Sequence, residues 1–482
     1  MRLRALLVCL CLSAGLWAGV PGSLRYGAVP AGSGTRPVLL FVHGWNSDAT
    51  TWSGTNDMEA KATAAGYRTV FLDVYADRAM WDNGPIISGA VDQVKIHFPG
   101  AGVVLVCHSK GGVDGQTALV YYGASTKVDR LITLGTPHRG TPLADLAWSS
   151  WAGWLTGLLG SKNEGNRVLQ TGYMAAFRTQ TDARPESRAV PTYTAGGTYA
   201  GPWFSSYWYG GIAIGRTSDG VVPLDSTDLF YQRARLFTRS WNHAGVKQGS
   251  NAWPYLQTSL ATPALAALAS ATLAMAPPVQ EPAHVLDRLY RGGTTTSAMA
   301  EFTFPVDAGQ ASLQVLLQTS AAPRRALLIA PSGRIHGLRA ALVGWVRRGE
   351  GRGEGEEPGD EAFPGAVNRQ LRVTQPEAGL WRVQLSAQGE DAYFFTAIFP
   401  GDTTRTVSAA EGRAAVRGGT GAAFAAAGSP EAVVHSVRTS APSAPSRGMK
   451  AQPMAEPSVL NHTLVLTWPG GRERAVIFSE AE

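Results

Sequence analysis

Three residues stand in settings that suit nucleophilic catalysis. Ser109 follows the apolar run Val103, Val104, Leu105, Val106, Cys107, His108 and precedes Lys110, Gly111 and Gly112. A serine at a sharp strand-to-helix turn sits at strained backbone angles, so the residues two before and two after it must be small. Gly111 meets that demand, and Cys107 meets it less well because glycine is usual there. A serine hydroxyl needs a base to take its proton, and the base needs a third group to fix its tautomer. Asp219 lies in the loop Thr217, Ser218, Asp219, Gly220, Val221, Val222, Pro223, and His243 follows a strand-like run over residues 234–239. In that arrangement Ser109 attacks a carbonyl carbon, while His243 takes its proton and returns it to the leaving alcohol. Asp219 orients the imidazole and stabilises its cation. Asp225 and Asp228 are rival acids, and Asp219 before Gly220 is also an ordinary turn signal. Among rival histidines, His108 is expected to point away from the serine it adjoins, His97 falls in a turn before the strand, and His138 lies further along.

Positioning these groups requires a buried scaffold. Residues 37–42 (Pro-Val-Leu-Leu-Phe-Val) form a continuously apolar run, the pattern of a strand covered on both faces in a parallel sheet. They end in His43, Gly44, Trp45 and Asn46, where Gly44 lets the backbone turn and His43 is expected to brace the loop. Between the serine and the acid, Trp148, Trp151 and Trp154 recur at three-residue spacing and leucines follow, which puts a bulky apolar stripe on one helix face. Such a helix either packs permanently on the core or covers a cleft and turns its indoles to lipid. A second aromatic cluster, residues 203–209, precedes the acid loop.

Residues 36–250 resemble the bacterial triacylglycerol lipase family of α/β-hydrolases. The resemblance rests on Val42, His43 and Gly44, on the stretch from Cys107 to Gly112, and on Leu134, Gly135, Thr136, Pro137, His138, Arg139 and Gly140. It also rests on the acid loop at Asp219 with His243 two dozen residues later. The resemblance implies a mostly parallel sheet, the chain order Ser109, Asp219, His243, and an oxyanion hole built from the backbone N–H groups of Lys110 and Trp45. Lys110 contributes its amide rather than its charge, at a helix N-terminus that favours a developing anion. Two departures stand out. Some members hold calcium with an aspartate two residues after the catalytic histidine, where this chain has Gly245, so no metal and no other cofactor is expected. Some carry a disulfide, and here Cys9 and Cys11 fall in the leader and leave Cys107 as the sole thiol.

That leader has a basic start, Arg2 and Arg4, then an apolar run and small residues, the pattern of a secretory signal over residues 1–25. Cleavage between Ala18 and Ala28 gives an exported enzyme; an uncleaved anchor is the alternative. The 482 residues, 44% hydrophobic, suffice for more than one core. The net charge of +6 comes with only 16% charged residues and no basic cluster interleaved with aromatics, so nucleic-acid binding has no support. The expected organisation is an α/β-hydrolase domain over 30–260, an alanine- and proline-rich linker over 261–282 that begins as a last helix, and a β-sandwich over 283–400. Residues 401–482 read as a low-complexity, partly disordered tract closed by two strands near 464–468 and 474–478 around a turn at Pro469, Gly470 and Gly471. Residues 347–361, rich in Gly, Glu and Arg, read as a solvated loop. The function expected is a secreted ester hydrolase of lipid substrates, working on soluble ester or at a lipid–water interface. A polyester depolymerase or an acyltransferase uses the same chemistry, and a binding protein that kept the fold is the alternative of another class.

Overall fold

A computed structural model describes residues 19–149, 162–201, 206–261, 286–295, 299–319, 322–340, 367–386, 391–400, 431–439, 457–467 and 473–482. The apolar runs become strands of one seven-stranded sheet: β1 (Leu24–Tyr26), β2 (Val38–Val42), β3 (Arg68–Leu72), β4 (Val103–His108), β5 (Arg130–Leu134), β6 (Thr192–Gly197) and β7 (Ala234–Arg239). Their order is β1-β3-β2-β4-β5-β6-β7, parallel throughout except for the antiparallel edge strand β1. Every residue of β2, β3, β4 and β5 is buried, as strands sandwiched between helical layers must be.

Between the strands run α1 (Met58–Ala64), α2 (Met80–His97), α3 (Lys110–Tyr121), α4 (Pro142–Trp148), α5 (Glu164–Arg167), α6 (Thr171–Thr181), α7 (Glu186–Ala189), α8 (Ser206–Ile214) and α9 (Gly249–Ala261). The two-residue period of the strands sorts their side chains to two faces. Leu39, Phe41, Val104 and Val106 pack with Met58 and Ala62 of α1 and Trp253 and Leu256 of α9. Val38, Leu40, Val42 and Leu105 pack on the other face with Ile87, Val91 and Val94 of α2 and Ala118 and Leu119 of α3. From β2 the chain steps to β3 on one side, then crosses to β4 on the other. The carboxyl ends of β2 and β4 therefore flank the point where strand order reverses, the usual place for a ligand crevice in an open α/β sheet.

The C-terminal region is all β. A five-stranded antiparallel sheet, β13-β14-β10-β16-β8, is built from β8 (Leu286–Thr295), β10 (Ser312–Thr319), β13 (Arg339–Ala340), β14 (Val367–Thr374) and β16 (Asp391–Pro400). It faces a four-stranded sheet, β12-β11-β15-β9, of β9 (Met299–Val306), β11 (Arg325–Ile329), β12 (Ile335–Gly337) and β15 (Gly379–Ser386). Phe304, Leu313, Val315, Leu328, Trp381, Val383, Phe395 and Phe399 share the core between them, which makes this the expected sandwich.

The end of the chain differs from expectation. Strand β17 (Glu431–Thr439) lies within the tract read as low-complexity, and it pairs with β18 (Val459–Thr467), which pairs with β19 (Glu473–Ala481). The β-branched residues Val433, Val434, Val437 and Thr439 are the strand signal there, masked in the sequence by the Ala, Gly and Ser around it. This three-stranded sheet packs on the α/β body instead of completing the sandwich. Ser479 Oγ donates to Asp145 of α4 at 2.5 Å and accepts from Gly172 N at 2.8 Å, while Asn461 donates to Gln170. The backbone of Glu480 passes so close that a Cβ on Gly172 would lie 2.6 Å from it. Val459 enters a cluster with Met80, Trp81, Tyr173 and Phe177. The last described helix before the β-rich half, α9, ends at Ala261, and the tract expected to continue as a helix lies outside the described residues, as do the solvated loop at 347–361, the turn at 469–471 and residues 1–18.

Candidate active site

Ser109 is the hinge between β4 and α3, with φ 53° and ψ −132°. A non-glycine residue at positive φ stores strain, and such residues gather at functional sites. The turn survives because its neighbours are minimal. A Cβ on Gly111 would fall 2.3 Å from the His43 carbonyl oxygen, and one on Gly44 would fall 2.7 Å from Ser109 Cβ. These two glycines let the loop after β2 lie directly against Ser109. Cys107 fits the slot where glycine is usual because Gly115, one helical turn beyond the glycine pair, leaves room: a Cβ there would stand 3.0 Å from Cys107 Sγ. The thiol is fully buried, and burial pushes its titration well above the ordinary range.

The loops after β6 and β7 bring Asp219 and His243 together. His243 Nδ1 donates to Asp219 Oδ2 at 2.8 Å, which leaves Nε2 as the basic nitrogen. Asp219 is fully buried, and its other oxygen accepts from the amides of Val221 at 3.0 Å and Val222 at 2.7 Å. The His243 amide donates to the Asp219 carbonyl at 2.9 Å, so the two residues are tied twice. Gly135 seals the pair from below: a Cβ there would lie 3.1 Å from Asp219 Oδ2 and 3.2 Å from His243 Nδ1. The elbow is joined to this pair through its own neighbours. The Ser109 amide donates to the Leu134 carbonyl at 2.9 Å, and His108 donates from Nε2 to the His243 carbonyl at 3.0 Å, its ring 4.6 Å from that of His243.

The rival residues are engaged elsewhere. Asp225 pairs with Arg216 at 3.1 Å, and Asp228 pairs with Arg235 and Gln232. His97 ends α2 stacked on Tyr26. His138 is buried within 3.2 Å of Thr133 Oγ1, and desolvation holds it well below the usual histidine range. His43 is the expected brace: it donates from Nδ1 to the Gly44 carbonyl at 2.9 Å and accepts at Nε2 from the Val74 amide at 3.0 Å. Burial lowers its pKa, which agrees with the neutral ring these two bonds require.

Trp45 and Lys110 flank the crevice. The Trp45 indole donates to Asn163 Oδ1 at 3.1 Å, fixing the loop after β2 to the start of α5. Lys110 begins α3, where unsatisfied amides and the helix dipole both favour an anion. Among the described residues, no backbone acceptor takes the Trp45 or the Lys110 amide hydrogen. The Lys110 ammonium is turned inward, away from this role, onto Asp114 at 2.8 Å. Of the tryptophan stripe only Trp148, at the end of α4, lies within the described residues, donating to Asn166 at 2.9 Å; Trp151 and Trp154 lie outside them. Of the second aromatic cluster, Tyr207 is buried beneath the acid loop, where its Cβ would meet any Cβ on Gly220 at 2.6 Å. Sequence reasoning assigned no role to Gly135, Gly115 or the Val221 and Val222 amides. Gly135 carried a signal, since it ends an apolar strand, but its contact with the acid–histidine pair exists only in three dimensions.

No family model and no curated protein matches the chain. Solved structures do. The Bacillus licheniformis lipase BlEst2 in its propeptide form is 27% identical, with 96% of this chain and 97% of that one aligned at a TM-score of 0.75. The mature form of the same lipase is 38% identical over 50% of this chain and 99% of its own, at a TM-score of 0.47. A metagenomic carboxyl esterase aligns with 48% of this chain and 77% of its own at 17% identity and a TM-score of 0.39. With its reversed strand order, its serine at the β4–α3 turn and a full-length likeness to a lipase, the chain belongs to the α/β-hydrolase superfamily, among lipase-like relatives.

Proposed function

We propose that the protein is an exported serine hydrolase that cleaves carboxylic esters of lipids through an acyl-enzyme on Ser109. His243 Nε2 takes the Ser109 proton as the hydroxyl adds to the ester carbonyl, then returns it to the departing alcohol. Water repeats the sequence in reverse order and frees the acid. Asp219, buried and satisfied by two amides, holds the imidazole as its Nδ1–H tautomer and stabilises the cation formed in each half-reaction. The amides of Trp45 and Lys110 receive the oxyanion, aided by the N-terminus of α3. The observation that carries this reading is the 2.8 Å bond from His243 to Asp219 in the same crevice as a serine at φ 53°. Two further points belong to the proposal. The leader is a signal cut before Leu24, a reading supported by the place of Leu24–Tyr26 as the edge strand of the sheet. The β-rich half after residue 261 is carried on a precursor, a reading supported by the full-length likeness to a propeptide form and by the polar contacts of Ser479 and Asn461 with the body.

Turnover of para-nitrophenyl esters from acetate to palmitate, with and without emulsified triglyceride, tests the chemistry. Serine-dependent activity that rises with chain length and increases at the interface is expected. Activity confined to short soluble esters would replace the lipid substrate by a smaller one, and no turnover in the wild type would remove the hydrolase reading. The mass of the exported protein tests the precursor: a product ending near residue 261 is expected, and an intact C-terminus on fully active protein would overturn it.

A further inference from the structure

Beneath the two proposed oxyanion donors runs a buried polar chain that the hydrolytic steps above do not use. Lys110 Nζ donates to both oxygens of Asp114, at 2.8 and 2.9 Å, one turn along α3. Asp114 Oδ2 accepts from Asn83 Nδ2 of α2 at 2.8 Å. Asn83 in turn clamps one residue of the loop after β3, accepting from the Tyr75 amide at Oδ1 and donating to the Tyr75 carbonyl, both at 2.9 Å. That loop then holds the other donor. The Ala76 carbonyl accepts from the Asn46 amide at 3.3 Å, next to Trp45, and the Val74 amide binds His43 at 3.0 Å. The Asp77 carbonyl accepts from Gly165 of α5 at 2.7 Å, beside the Asn163 that holds the Trp45 indole. Asn83, Lys110 and Asp114 are each no more than 1% exposed.

From this path we infer that the Lys110 side chain, Asp114 and Asn83 are positioning residues for ester hydrolysis, a rigid frame that sets the spacing between the Lys110 and Trp45 amides. The inference rests on the ester hydrolase reading and deepens it. A buried ion pair adds little net stability, since the cost of desolvating both charges offsets their attraction. What such a pair supplies is geometry, because Lys110 and Asp114 hold each other in one rotamer and Asn83 carries that constraint to a second loop. An oxyanion donor works only if it already sits where charge will develop, and a displacement of about 1 Å can cost on the order of 100-fold.

The test compares wild type with the double variant Lys110→Met, Asp114→Leu, which replaces the pair by apolar groups of similar size and preserves the Lys110 amide. The expected result is a kcat on para-nitrophenyl butyrate lowered about 10- to 100-fold, with KM changed less than about twofold. Affinity for a boronic acid transition-state analogue falls in parallel, and the variant still unfolds cooperatively, its melting temperature lowered only by the buried Asn83 N–H left unpaired. Asp114→Asn is the second variant, needed if the double variant fails to fold. It removes the carboxylate charge and one acceptor, and whichever way the new amide turns, its NH2 faces either Asn83 Nδ2 or Lys110 Nζ, so the frame loses one of its bonds. A fall in kcat of about fivefold or more at constant KM supports the frame; folded variants with kcat within twofold of wild type overturn it. A fluorophosphonate that labels wild-type Ser109 separates the two failures. A labelled enzyme with insensitive variants overturns only the frame, whereas an unlabelled wild type overturns the hydrolase reading and the frame together.

Discussion

The catalytic body and the C-terminal three-stranded sheet are both buried against helices, yet they are held by opposite means. In the body, β2 and β4 meet α1, α2, α3 and α9 through two large apolar clusters. Where β18 and β19 meet α4 and α6, the buried contacts are largely polar: Ser479 to Asp145 and Gly172, Asn461 to Gln170, with Val459 as the apolar anchor. Apolar burial stabilises wherever water is excluded, but hydrogen bonds across an interface gain little over the bonds water would make once the surfaces part. The first contact is a core that cannot open without unfolding. The second resembles an interface that can separate while both sides stay folded.

The largest effect that sharpens this contrast is chemical. Ser109→Ala should lower kcat at least about 10⁴-fold, whereas Trp381→Ala in the sandwich core should leave kcat on a soluble ester within about twofold. Next comes stability. Leu105→Ala in β4 should cost about 2–5 kcal/mol, and Trp381→Ala about 3–5 kcal/mol, but on separate calorimetric transitions. A single transition shifted by both would join what we have separated.

Protonation should then strengthen the interface. Burial lifts the Asp145 carboxyl from an ordinary 3.8 to about 6, although Ser479 and Thr171 hydrogen bonds oppose the rise. The folded form therefore holds this proton more tightly than the unfolded chain does. Its contribution to stability is complete below about pH 4 and is lost as pH rises through about 6, to on the order of 3 kcal/mol. Hydrogen exchange at the β19 amides should quicken across that window, and Asp145→Asn should flatten the response. The smallest effect is that of Ser479→Ala, about 1–2 kcal/mol, read as faster proteolytic release of the C-terminal sheet with no change in the body's own unfolding.

Much of the body was legible because its signals are local. Continuous apolar runs at residues 38–42 and 103–108 gave parallel strands, and the order of Ser109, Asp219 and His243 located the crevice. The pairing of His243 with Asp219 instead of Asp225 or Asp228 was favoured by position and is explained by the arginines that occupy the other two. What stayed hidden was encoded across distance. Nothing near Asn83 or Asp114 announces that they meet, since α2 and α3 are brought together only by the crossover. Strand β17 was obscured by the composition of its surroundings, and the docking of β19 on α6 depends on Gly172, whose missing side chain has no meaning until Glu480 is laid across it.

The snug fit of Cys107 under Gly115 gives the molecule a built-in reporter. Apart from Cys9 and Cys11 it is the chain's single cysteine, fully buried in β4 directly before the elbow. A thiol reagent can reach it only when that strand or α3 opens, so the rate of labelling is a clock for the catalytic body alone, blind to the sandwich and to the docked sheet. Followed while the C-terminal sheet is released, that clock would tell whether the crevice loosens when its neighbour leaves.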